Sequence, residues 1–273
     1  MDINGSVAIV TGAGSGIGQA LAWGLADAGA SVIAADIDQD AATHTASARE
    51  GRIVGQRADA SSIADIENLI ALAEKEFGPV DLYAANAGIG GGLGLDIGEA
   101  AWDLTIDVNL RAHIRAATLL TPQWVERGRG YFLSVASAAG LLTQIGSPAY
   151  SVTKHAAVGF AEWLSITYGD KGIGVSCLCP MGVKTALLDG LTESDDPATR
   201  VAGSSITTAG EVLQPAAVAA ITLDAIRDER FLVLPHPQVL DMYRQKGADY
   251  DRWILGMRRY QGALEELSRS SHL

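Results

Sequence analysis

The chain has 273 residues, 48% of them hydrophobic, and sets 20 Lys and Arg against 32 Asp and Glu for a formal net charge of −12. That much apolar material supports a sizeable core and excludes an intrinsically disordered chain, and the length suits one α/β domain. The acidic balance, with a pI near 4.8, works against nucleic acid and anionic membranes, which reward basic patches, so neither is expected as a partner.

In chain order, short β-branched runs alternate with longer stretches of helical period. Strands are predicted over Val7 to Thr11, Ser31 to Ala35, Ile53 to Arg57, Val80 to Ala85, Tyr131 to Val135, Gly174 to Cys179 and Phe231 to Leu234. Helices are predicted around Ile17, Leu21 and Leu25, around Ile63, Ile66, Ile70 and Phe77, and over Trp102 to Arg127 and Ala149 to Tyr168. This alternation implies one doubly wound parallel sheet of about seven strands with helices on both faces, a Rossmann-type α/β fold. No linker divides residues 1–273, so they are read as a single domain.

The segment Leu187 to Leu213 mixes glycines with Asp195-Asp196-Pro197 and many Ser and Thr, and reads as a mobile insertion of the kind that serves as a lid. After the last strand, residues 235–273 form a C-terminal extension. Its Trp253, Met257, Tyr260, Leu264 and Leu267 make one apolar helix face, expected to pack on the chain's own core or another subunit, with substrate contact as the second reading. The final Ser-Ser-His-Leu is expected to fray.

The uncharged run Gly130 to Thr153 is long enough to span a bilayer, but Ser134, Ser137, Thr143, Gln144, Ser147 and Pro148 exclude that reading. The N-terminus has no basic segment before an apolar run, so a cytoplasmic location is expected. Cys177 and Cys179, two apart on a strand, read as inert buried thiols. The scattered histidines show no metal-ligand spacing, and no metal is expected.

The first strand leads into Thr11-Gly12-Ala13-Gly14-Ser15-Gly16-Ile17-Gly18, which opens the first helix. Glycines there permit a tight turn and let backbone N–H groups meet a pyrophosphate at the positive end of a helix. Asp36, at the end of the second strand, can accept hydrogen bonds from adenosine ribose hydroxyls and would repel a 2′-phosphate. No Arg or Lys neighbours it, so NAD is expected over NADP. Further on, Tyr150 and Lys154 stand four apart on one helix face, where the ammonium favours tyrosinate. Ser137 follows the fifth strand and can bring its hydroxyl to the same reacting oxygen.

These markers, together with Asp59, Asn86-Ala87-Gly88, Asn109 and Thr185, resemble the short-chain dehydrogenase/reductase family in its single-domain form, best over residues 5–185. The resemblance implies that Tyr150 is the general acid/base, that Lys154 lowers its pKa and holds the nicotinamide ribose, that Ser137 orients the substrate oxygen and that Asn109 positions a relay water. It assigns cofactor contacts to Gly12, Ser15, Gly16, Ile17, Gly18, Asp36, Asp59, Ala60, Asn86, Ala87, Gly88, Tyr150, Lys154, Pro180, Val183 and Thr185. The chain departs from the family pattern at Pro180-Met181, where Pro-Gly is usual, and at Leu234-Pro235-His236-Pro237, which replaces a glycine pair.

By the same analogy the pocket walls are Gly88 to Leu95, Ala138 to Ile145, Met181 and the segment 187–213, mostly apolar or small. A hydride-transferring oxidoreductase acting on an alcohol or ketone with an apolar body is therefore expected, as a homo-oligomer (dimer or tetramer) paired through the two long helices. Polyols remain open through Gln144, Ser147 and the hydroxyls of the insertion. The other readings are an NADH-sensing binding protein without catalysis and an epimerase or dehydratase using NAD internally, for which the chain looks too short.

Overall fold

The structure is a computed structural model and describes residues 1–49 and 51–270. The fraying expected of the final Ser-Ser-His-Leu is not seen at Ser270, which closes the last helix, and residues 271–273 lie outside the described residues. Seven strands form one parallel sheet in the order β3-β2-β1-β4-β5-β6-β7. They are β1 (Val7–Thr11), β2 (Ser31–Asp36), β3 (Ile53–Arg57), β4 (Leu82–Ala85), β5 (Gly130–Val135), β6 (Ile173–Leu178) and β7 (Leu232–Val233). β1, β4 and β5 are buried almost throughout, which is why they read as near-continuous apolar runs.

One face of the sheet is covered by α3 (Ile63–Glu76), α5 (Ala112–Arg127) and α7 (Pro148–Tyr168), packed around Phe132, Trp124 and Leu164. The other is covered by α1 (Gly16–Asp27) and α10 (Pro215–Arg227), packed around Leu21, Leu133 and Ile226. The strand order reverses between β1 and β4, and a crevice opens there at the carboxyl ends of the strands, where open α/β sheets bind ligands.

Several predicted boundaries move for identifiable reasons. β4 begins at Leu82 rather than Val80, because the Val80 carbonyl accepts from the Trp124 indole and the Arg127 guanidinium instead of the sheet. The helix expected over Trp102 to Arg127 is α4 (Glu99–Ile106) and α5 joined by a π-helical turn at Asp107–Arg111. The predicted insertion at 187–213 contains two helices, α8 (Ala186–Thr192) capped by Thr185 and α9 (Pro197–Thr207) capped by Asp196. The remaining elements are α2 (Gln39–Ser47), the short α6 (Ala139–Leu142), and the C-terminal pair α11 (Gln238–Ala248) and α12 (Tyr250–Ser270). Among the described residues no helix is long and apolar enough to cross a membrane.

Candidate active site

β1 runs into the glycine turn, and only small residues fit there. Gly12 and Gly16 have φ of +63° and +54°, the left-handed region that glycine adopts freely. A Cβ on Gly18 would overlap the Gly12 carbonyl oxygen and the Asn86 amide. Gly18 therefore closes the first turn of α1 onto the loop, and it is not among the residues that line the cavity. Asn86 fastens the end of β4 to this turn, its Nδ2 donating to the carbonyls of Thr11 (2.9 Å) and Gly12 (3.1 Å). The Thr11 hydroxyl accepts from the N–H groups of Asn86 and Ala87 on the same side.

Asp36 stands half-buried at the end of β2, its carboxylate accepting from the N–H of Gly14 at 2.8 Å and of Asp38 at 3.0 Å. Those bonds aim the carboxylate across the glycine turn and leave it lone pairs for further donors. Asp59 accepts from both the N–H and the hydroxyl of Ser61, so it also stabilises its own turn while lining the cavity. Thr185 lines the same cavity and caps α8.

A single cavity of about 1100 Å³ runs from Asp36 and Ile37 past Ser137, Tyr150 and Lys154 to the C-terminal helices. Of the residues expected to bind cofactor, all except Gly18 line it. The glycine turn, an exposed helix N-terminus and an acid at the far side form a cradle that fits a dinucleotide, and glycine at 14 and 18 keeps its shape, since a Cβ at either would collide with Asp36 and Ala41 or with Gly12 and Asn86.

Lys154 is 3% exposed, and its Nζ donates to the Val135 carbonyl at 2.9 Å and lies 5.6 Å from the centre of the Tyr150 ring. Burial pulls its pKa from 10.5 to about 8. Ser137 accepts from the Ala139 N–H at 3.1 Å, its hydroxyl points to the Pro180 carbonyl at 3.5 Å, and it acts on the Tyr150 phenol to pull its pKa down. Burial dominates at Tyr150 and raises its pKa, contrary to the expected lowering by Lys154, whose own charge burial already disfavours.

Asn109 lies in the π-helical turn, fully buried, and does not itself line the cavity. Its Oδ1 accepts from the Ile89 N–H at 2.8 Å, and its Nδ2 donates to the Ile89 carbonyl and the Thr153 hydroxyl. A Cβ built on Gly88 would sit 3.3 Å from both Asn109 Oδ1 and Lys154 Nζ. Glycine at 88 thus lets the backbone approach both groups closely.

Sequence reasoning missed His113, one helical turn after Asn109, which is buried with Nδ1 at 3.1 Å from the Ser134 hydroxyl. Burial first, and the Lys154 charge second, push it from 6.5 to about 3. Its folded pKa is depressed, so its stabilising contribution is complete above pH 6.5 and is lost as pH falls toward 3. At about 1.4 kcal/mol per tenfold, the loss at pH 4 is about 3 kcal/mol. Denaturant unfolding of wild type and His113→Phe between pH 7 and 4 should show the wild type falling more steeply by about that amount; parallel curves would refute the assignment.

Also missed as pocket residues were Met242 and Gln245 on α11, and the half-buried Trp253, Met257 and Tyr260 on α12 line the cavity as well as packing. Tyr260 bonds the Thr208 hydroxyl at 2.6 Å and the Ser205 carbonyl at 3.0 Å, tying α12 to α9. Period alone showed the apolar stripe on α12 but not what it faces.

Residues 6–196 match the family model for short chain dehydrogenase. The chain is 33% identical over 265 residues to the 1-deoxy-11-beta-hydroxypentalenate dehydrogenase of Streptomyces exfoliatus, covering 93% of this chain and 91% of that one. It is 30% identical over 243 residues to a cyclohexanol dehydrogenase of an Acinetobacter species, covering 87% and 94%. A short-chain dehydrogenase/reductase from Burkholderia phymatum, crystallised in complex with NAD, superposes with a TM-score of 0.82 at 30% identity, covering 92% of this chain and 96% of that one. The chain belongs to the short-chain dehydrogenase/reductase family of oxidoreductases.

Proposed function

We propose that the protein is an NAD-dependent dehydrogenase that interconverts a secondary alcohol and its ketone, with an alicyclic, apolar substrate body. The observation that carries this reading is that Ser137, Tyr150 and Lys154 meet on the wall of one cavity whose other end is the glycine turn and Asp36. Bound NAD supplies the hydride acceptor. Gly12, Ser15, Gly16 and Ile17 offer it the N-terminus of α1, Asp36 the ribose contact, Asp59, Ala60 and Asn86-Ala87-Gly88 the adenosine wall, and Pro180, Val183 and Thr185 the opposite wall. Ser137 orients the substrate oxygen by hydrogen bonding. Tyr150 takes the hydroxyl proton in oxidation and returns it in reduction. Lys154 holds its charge beside that phenol, and to Asn109, whose amide fixes Ile89 beside Gly88, we assign the positioning of a relay between Lys154 and solvent.

Contrary to the sequence expectation, a cation does neighbour Asp36, since Arg57 on β3 is its register partner; Arg57 does not line the cavity, whereas Asp36, Ile37, Ala58 and Ala60 do, and we favour NAD because the Asp36 carboxylate would repel a 2′-phosphate. Asp36→Ala should shift the ratio of kcat/KM for NAD over NADP toward NADP by about 10²-fold, the size of a lost charge-assisted contact plus a relieved repulsion. An unchanged ratio in initial-rate assays would place the cofactor choice elsewhere.

The substrate half of the cavity is walled by Leu142, Ile145, Met181, Met242, Trp253 and Met257. Its three methionines, of four in the chain, make an adaptable apolar wall. The hydroxyl and amide groups around it are largely occupied by one another: Gln144 donates to Ser205 at 2.8 Å, Thr199 to Asp196, and Thr208 pairs with Tyr260. That favours a hydrocarbon ring over a polyol, and the relative named for cyclohexanol supports the same class. We read residues 187–213 as the substrate lid. The exposed Leu104, Val152, Trp163 and Ile166 on α4 and α7 support pairing into a homo-oligomer.

NADH formation from NAD with cyclohexanol, sorbitol and 3-hydroxybutyrate tests this. Turnover of cyclohexanol alone is expected. Turnover confined to sorbitol or the hydroxy acid would overturn the substrate class, and none with any alcohol would overturn the activity.

A further inference from the structure

His236 occupies the segment where the chain leaves its family's usual pattern, between Pro235 and Pro237 and just ahead of α11. It is 2% exposed. The Met181 N–H donates to its Nδ1 at 3.1 Å, and its Nε2 is 3.1 Å from the Glu211 carbonyl oxygen. A carbonyl only accepts and an amide N–H only donates, so both bonds together require the neutral imidazole with its proton on Nε2.

Its two partners lie at the two roots of the segment 187–213. On the outgoing side Met181 follows β6 and lines the cavity; on the returning side Glu211 precedes Leu213. The roots are also zipped by a parallel bridge between Val183 and Leu213, with Leu213 N–H donating to Gly182 and Lys184 N–H to Leu213. β7 in turn holds the end of β6, where the Cys179 N–H donates to Val233. The imidazole is therefore the side chain that joins both roots to the segment following β7. The backbone at Met181 is thus fixed from outside by a side-chain acceptor.

We propose that His236, as the neutral Nε2–H tautomer, is a positioning residue that clasps the two roots of the lid and holds the Pro180–Met181 turn against the reacting end of the cavity. Its role in turnover rests on the dehydrogenase reading above; the clasp itself does not. Protonation would place an N–H on Nδ1 facing the Met181 N–H and break that half of the clasp, while the Nε2 half survives. Burial holds the imidazole below its ordinary pKa, and among the described residues the ionisable group that acts on it is Glu211, which favours the charged form.

The test combines hydrogen exchange of backbone amides with steady-state kinetics on His236→Ala, His236→Asn and His236→Gln. Asn can keep an acceptor for Met181, Gln can keep a donor for Glu211, and neither titrates. In His236→Ala the amides of 181–184 and 211–213 should exchange about 10-fold faster or more, with KM for cyclohexanol up about 10-fold and kcat changed far less, as expected for the loss of a buried hydrogen-bonded clasp. Wild-type KM should rise on acidification, and His236→Asn should restore KM and lack that rise. If His236→Ala fails to fold, the Asn and Gln variants carry the comparison. Wild-type exchange and KM in the Ala variant, or an Asn variant as pH-dependent as wild type, would overturn the proposal. Faster exchange in the Ala variant of a protein that turns over no alcohol would leave the clasp standing and remove the dehydrogenase reading instead.

Discussion

Tyr150→Phe should lower kcat for alcohol oxidation by about 10³-fold or more, the scale of a lost general acid/base in the reacting position, while NADH binding, followed by its fluorescence, changes little. The substitution removes one oxygen from a side chain on whose phenol Ser137 acts and whose ring lies 5.6 Å from Lys154 Nζ, and leaves the ring's packing in α7 intact. A loss of binding as large as the loss of rate would mean that the phenol builds the pocket rather than moves the proton. A rate within a few-fold of wild type would remove Tyr150 from the chemistry.

Lys154→Met should have two opposite effects. Turnover falls by about 10²-fold or more, because the charge beside the phenol is gone. The pH dependence of stability also changes. The folded pKa of Lys154 is lowered to about 8 from 10.5, so the unfolded chain holds the extra proton between those values and wild-type stability rises with pH across that window. Below pH 8 both states are protonated and the burial penalty is fully present. At about 1.4 kcal/mol per tenfold, the stability of wild type relative to Lys154→Met should rise by about 3 kcal/mol from pH 8 to 10.5. Comparing the two at each pH cancels the unsatisfied Val135 carbonyl that the variant leaves at every pH. Parallel pH profiles in denaturant unfolding would show that Lys154 is not desolvated as the geometry implies. The conflict between activity and stability at this residue is the kind that functional sites accept.

What was legible in the sequence was whatever depends on local period and spacing. β1, β2 and β3 fall where β-branched runs predict them, because a parallel sheet buried on both faces requires such runs. The glycine turn and Asp36 could be placed in register because both sit at ends of adjacent strands, β1 and β2, which pair along their length. The π-helical turn at Asp107–Arg111 was not legible: a one-residue widening leaves no mark in composition, yet it places the Asn109 amide against Ile89.

His236 and His113 were seen only as scattered histidines. Their partners, Met181 and Glu211 for one and Ser134 for the other, are 21 to 55 residues away and are brought together by the sheet order, which no local pattern encodes. The stripe on α12 was visible as a face, but that Trp253 and Met257 look into the cavity depends on how α12 crosses α9. The predicted effect of Lys154 on the Tyr150 phenol followed from their spacing alone; burial, a property of the whole fold, outweighs it.

The measurement that bears most directly on the central claim is the initial rate of NADH formation with cyclohexanol carrying deuterium at the carbinol carbon, set against the unlabelled alcohol. Slower turnover of the labelled alcohol, with the deuterium recovered in the reduced cofactor, is the predicted result for a carbinol C–H bond broken on this enzyme while Tyr150 takes the hydroxyl proton. Deuterium released to water, or retained in the alcohol while NADH binds, would contradict it.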